Sequence, residues 1–100
     1  MENMINKKVI VRGDRSGVFF GTITKKGGQE VTLKNCRRLW YWSGAASISQ
    51  IAKDGVTKPD DCKFTVVVDE IVILDAIEII PCTDNAITNI EGVYTWMIQK

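Results

Sequence analysis

Three β-branched runs lie so close together along the chain that one pairing mode alone can join them. KKVIVRG (7–13), VFFGTITKK (18–26) and QEVTLKN (29–35) are separated by the turn sequence GDRSG (13–17) and the glycine pair at 27 and 28. Connections that short link antiparallel neighbours, whereas a parallel crossover needs about a dozen residues or more. Val31 and Leu33 alternate with polar residues, as in a strand with one buried face. An antiparallel meander is therefore expected, and RRLWYW (37–42) follows as a fourth strand or a continuation of the third.

From Ser43 the pattern changes. Ala45, Ile48, Ile51 and Ala52 fall on one helical face, predicting a helix at about 44–54. Ser43 or Ser47 is a candidate N-cap, Ser47 with Gln50 has capping-box spacing, and Gly55 stands at the expected stop. VTKPDD (56–61) reads as a loop. CKFTVVV (62–68) and EIVILDAIEII (70–80) are β-rich again, with a weak turn expected at Asp69 and Glu70 and a stop at Pro81. Thr83 or Asp84 caps a short helix near 83–91, closed by Gly92, and VYTWMI (93–98) reads as a last strand or a tail docked by Trp96. The expected fold is α+β, a mainly antiparallel sheet or small barrel-like sheet with these two helices, in a single domain spanning 1–100.

Composition narrows the chemistry. The chain has no histidine, which removes the imidazole general base, the Ser-His-Asp and Cys-His arrangements and every His-containing zinc site. Its three cysteines, Cys36, Cys62 and Cys82, lack C-x-x-C spacing and read as free thiols of a reducing cytosol. Thirteen Lys and Arg against twelve Asp and Glu leave a net charge of +1, a poor basis for coating DNA. No signal-peptide h-region or spanning apolar stretch is present, so a cytoplasmic location with no membrane partner is expected. No cofactor, no metal, no catalytic residue and no sequence-specific nucleic-acid partner are expected.

RRLWYWSGAAS (37–47) is the most distinctive stretch. On a strand, Arg38, Trp40 and Trp42 share one face, and Arg37, Leu39 and Tyr41 the other. One reading makes an aromatic face core. The other makes it a nucleotide site: indoles and guanidinium stack on bases, arginine forks onto phosphate, and SGAAS offers a helix N-terminus with Gly44 admitting close approach. The candidate ligand-binding residues are then Arg37, Arg38, Trp40, Tyr41, Trp42, Ser43, Gly44 and Ser47.

RRLWYWSGAASISQIA followed by GVTKPDDCKF resembles the shared core of a family of short phage-encoded proteins of unknown function, from about Val9 through Ile80, with GVFFGTI and AIEII as further blocks. Small phage proteins of this kind include sponges that capture the cyclic nucleotide signals of bacterial antiviral (CBASS-type) defence. The resemblance implies a non-catalytic protein that sequesters such a nucleotide as a homo-oligomer, dimer or tetramer. Two bases, two phosphates and near-twofold symmetry suit a pocket between subunits.

The remaining features read as structural. RGD (12–14) is a turn, Lys7-Lys8 and Lys25-Lys26 are solvated strand ends, and Asp69, Glu70, Asp75 and Glu78 interrupt strands on the solvent side. Asp60 and Asp61 after Pro59 form a turn, and Cys36 is a buried thiol. The alternative to nucleotide capture is a protein–protein interaction module whose Trp, Tyr and Arg serve as interface anchors. A third reading, a carboxylate and divalent-metal phosphodiesterase, has the weakest sequence support.

Overall fold

The structure is a computed structural model, and it describes residues 4–98. The expected meander forms from β1 (Lys8–Gly13), β2 (Val18–Gly27) and β3 (Glu30–Tyr41), each antiparallel to the next. RRLWY continues β3 rather than starting a new strand. The outer edge of β3 is shared by β4 (Lys63–Phe64) along residues 39–41 and by β5 (Val68–Ile73) along residues 31–36. On the opposite side of the meander, β6 (Ala76–Pro81) pairs with β1. All strand pairs are antiparallel.

β5 and β6 therefore lie on opposite ends of the sheet, yet Leu74 and Asp75 alone separate them in the chain. The sheet must curl until its ends meet at that corner. Asp14 N donates to Asp75 O and Ala76 N to Gln29 O, which fastens the corner from both sides. No ladder joins β5 to β6 among the described residues, so the sheet is open and not a closed barrel. The break falls at Leu74-Asp75 and not at Asp69-Glu70, which lie inside β5. Of residues 62–68, Lys63–Phe64 and the first residue of β5 alone are strand, because Arg37 and Arg38 draw on Thr65 instead.

Curling gives the sheet two buried faces. Val9, Val11, Phe19, Ile23, Val31, Leu33, Cys36 and Ile73 fill the inside of the curl. Ile10, Phe20, Leu39 and Phe64 point outward beneath the helices, with Ile51, Ala52, Ala86 and Ile90. Consecutive residues of β1 enter different clusters, as strand alternation requires. Helix α1 (Ile48–Asp54) begins at Ile48, not at 44. Helix α2 (Asp84–Glu91) is capped by Thr83, whose hydroxyl accepts from Ala86 N at 3.2 Å. The Asn89 amide clamps Val56, Oδ1 accepting its N–H at 2.8 Å and Nδ2 donating to its carbonyl at 2.9 Å.

The tail beyond α2 makes one parallel bridge, Thr95 to Phe64, with Trp96 N donating to Phe64 O at 2.8 Å. No helix among the described residues is long and apolar enough to cross a membrane.

Candidate functional site

Asn35 decides which of the two arginines reaches solvent. It lies inside β3 with φ +49°, a left-handed conformation that asparagine tolerates better than most side chains. Here two residues of β3, Asn35 and Cys36, oppose one of β2, Gly21, between the pairs Thr22–Lys34 and Phe20–Arg37. This β-bulge resets the alternation, so that Leu33 and Cys36, an odd number of residues apart, both face the inside of the curl. Gly21 lies against the bulge, where an added Cβ would come within 3.1 Å of Lys34 O and 3.2 Å of Cys36 Cα. Past the bulge, Arg37 and Leu39 turn under the helices and Arg38 stays in solvent.

Arg37, expected at the ligand site, is 3% exposed and holds the protein together instead. Its Nε donates to Thr65 O at 3.0 Å, Nη2 to Phe64 O at 3.1 Å, and Nη1 to Ile90 O and Val93 O at 3.1 Å each. Two of those carbonyls lie at the end of α2 and just beyond, where a cation complements the helix dipole. Burial lowers its pKa, but a guanidinium remains charged, and four carbonyl bonds replace its lost water.

Arg38 has the opposite surroundings. Its guanidinium lies 4.7 Å from the centre of the Phe19 ring and makes no ion pair with a described residue. Arg38, Trp40 and Trp42 line one groove of about 360 Å³, together with Arg15, Ser16, Gly17 and Val18. Leu39, whose side chain belongs to the helix-side cluster, lines the same groove, so these three residues meet there without the groove being confined to one strand face. Trp42, just past the end of β3, also packs half-buried against the helix-side cluster.

Arg15 and Ser16 belong to the GDRSG turn, which the Phe19–Arg38 pairing sets beside the groove and the start of β6 holds in place. The Asp75 carboxylate accepts from Arg15 N at 2.8 Å, from Ser16 N at 3.1 Å and from the Ser16 hydroxyl at 2.5 Å. These bonds, the Ser16 hydroxyl foremost, hold the Asp75 pKa below its ordinary 3.8. The corner that ends the sheet thus fixes the β1–β2 turn that carries Arg15. Contiguous charge in a turn, RGDR, was the available signal.

Trp40 is stacked on Trp96, ring centres 6.3 Å apart and planes 5° off parallel. Lys63 Nζ lies 5.4 Å from the Trp96 ring and 6.0 Å from that of Tyr41. Tyr41, expected at the ligand site, is exposed and does not line the groove.

The SGAAS segment does not form the expected phosphate nest. Gly44, φ +88°, accepts at its carbonyl from Thr57 N and Thr57 Oγ1, both at 3.2 Å. A Cβ there would come within 2.5 Å of Thr57 Oγ1, so the glycine admits a neighbouring loop and not a ligand. Ser43 exchanges contacts with Cys62, its N–H donating to Sγ at 3.4 Å. Ser47 caps α1, its hydroxyl accepting from Gln50 N at 3.3 Å, while Gln50 Oε1 accepts from Ala46 N at 2.7 Å. The first turn is thus occupied by its own caps.

Cys36 and Cys82 are free thiols whose pKa values burial pushes up to about 12 and about 11. Both are poor nucleophiles at neutral pH. No group of three or more Cys, Asp or Glu side chains among the described residues is placed to hold a metal ion. Glu78 pairs with Arg12 at 3.0 Å, and Glu91 with Lys8 at 2.5 Å.

A curled, open antiparallel sheet carrying two helices on its outer face defines a small α+β domain with a cationic, indole-lined groove. The chain belongs to the family described as Domain of unknown function (DUF6948), whose model matches residues 6–90. No curated protein and no solved structure matches it.

Proposed function

We propose that this chain is a non-catalytic binding protein that sequesters a nucleotide signal of the cyclic dinucleotide type, in the groove formed by Arg15, Ser16, Arg38, Trp40 and Trp42. The observation that carries the reading is that two arginines, neither ion-paired with a described residue, and two tryptophans line one open groove. Indole faces hold bases of any identity, and arginines fork onto phosphate. Sequestration asks for affinity without bond breaking, so the lack of histidine is no obstacle.

The resemblance to small phage proteins supports the role proposed here, counter-defence in the host cytoplasm by removing an immune signal. A homo-oligomer, dimer or tetramer, fits the large apolar side chains that one copy leaves exposed, among them Val66, Val67 and Ile98.

The test is mass spectrometry of small molecules released from denatured, purified protein, beside a thermal-shift screen of nucleotides. Intact cyclic dinucleotide should be recovered, or should raise the Tm, and Arg38→Ala or Trp40→Ala should abolish the shift. A panel with no shift contradicts the reading. One observation favours the alternative interaction module: Trp40, Trp96, Met97 and Ile98 leave exposed apolar surface beside Lys63. That reading requires a macromolecular partner captured by the wild type and lost in Trp96→Ala, with no response to nucleotides.

A further inference from the structure

The indole-lined groove does not end at its arginines. A second groove, of about 440 Å³, shares Arg15, Ser16 and Arg38 with it and is otherwise lined by Phe19 and the β5 stretch from Ile71 to Asp75, none of which lines the first. The two grooves form one trench with a cationic waist. One lobe is aromatic, the other aliphatic. Val72 and Leu74 are 46% and 71% exposed, large for apolar side chains in a strand and its corner. The acidic group lining the trench, Asp75, already accepts three hydrogen bonds from Arg15 and Ser16. It orders the waist without an ion pair to either guanidinium.

From this geometry we infer that a single protomer takes a phosphodiester with a base on each side of it: the phosphate between Arg15 and Arg38, one base on Trp40 and Trp42, the other on Val72 and Leu74. The inference rests on the proposed function and deepens it by naming the ligand unit and its polarity across the site. Charge complementarity selects the occupant. Two unpaired cations between apolar walls favour a central anion with apolar, planar groups at both ends. A mononucleotide places its phosphate at the waist but fills one lobe. A purely apolar ligand leaves both cations without a counter-charge.

Calorimetric titration of the full chain with two probes tests this, namely adenosine monophosphate and the dinucleoside monophosphate ApA. ApA carries less negative charge, so charge alone predicts that it binds more weakly. The trench predicts ApA tighter by about tenfold, as burying a second base against aliphatic side chains gives, at one ApA per protomer. The double variant Val72→Ser with Leu74→Ser, altering exposed side chains, should erase that advantage and leave the adenosine monophosphate affinity unchanged. Trp40→Ala should weaken both probes. Equal affinities, or an unchanged ApA affinity in the double variant, would overturn the two-lobed trench while leaving a nucleotide site standing. If neither probe nor a cyclic dinucleotide binds, the trench and the proposed function fall together.

Discussion

Arg37 is a buried cation whose hydrogen bonds all go to backbone carbonyls, four of them, from the β4 segment and the end of α2. Removing it strands those carbonyls in a dry seam. Arg37→Ala and Arg37→Met should each cost about 3 kcal/mol, read by urea unfolding, since a well-packed Met restores volume but no donor. Arg37→Lys should recover little, because an ammonium cannot fork to both segments. Arg38→Ala, by contrast, gives up an exposed stacking contact over Phe19 and should cost at most about 1 kcal/mol. Strand alternation separates these neighbours in sequence, but the pattern is symmetric: it says that they face opposite sides, not which side is core. The aliphatic neighbours Leu33 and Leu39 do not settle it, since the intervening bulge reverses the register between them.

That bulge is the element on which the site depends. Asn35→Gly keeps the positive φ and should fold normally, whereas Asn35→Val should lose about 1–2 kcal/mol of stability, seen as a lower midpoint in denaturant. The corner is the second such element. Folding lowers the Asp75 pKa, so its carboxylate stabilises the native state above the unfolded value near 3.8, and that stability is lost as pH falls through the still lower folded value. The wild type should therefore lose more stability than Asp75→Asn in thermal melts taken below about pH 4. The short turns, the β3 continuation, both helices and the Ser47, Thr83, Gly55 and Gly92 boundaries follow from local chemistry, and they are legible in the sequence. The start of α1 was less so. Ala45 has helical spacing, but Gly44 is held out of the helix by Thr57, a contact between segments far apart in the chain.

At the scale of the molecule, the α+β class was legible and the site was half legible. Arg38, Trp40 and Trp42 belong to one run of five residues, so their nearness in sequence is enough to bring them to one groove. Arg15 and Ser16 sit beside them because the antiparallel β2–β3 ladder sets Phe19 opposite Arg38, which brings the β1–β2 turn alongside Trp40, and Asp75, just ahead of β6, holds that turn. That register depends on the bulge at Asn35, and the grip of Asp75 joins residues some 60 positions apart, which no local pattern encodes. The central claim is that two arginines and two indoles on this curled sheet capture a nucleotide signal. Its most direct measurement is calorimetric titration of cyclic diadenylate into the wild type and into Arg15→Ala with Arg38→Ala, at low and high salt. The account predicts tight binding by the wild type that weakens with salt, and loss of affinity by about a hundredfold or more in the double variant, which stays folded at the titration temperature. Equal affinity in the two proteins, or no heat in either, would contradict it.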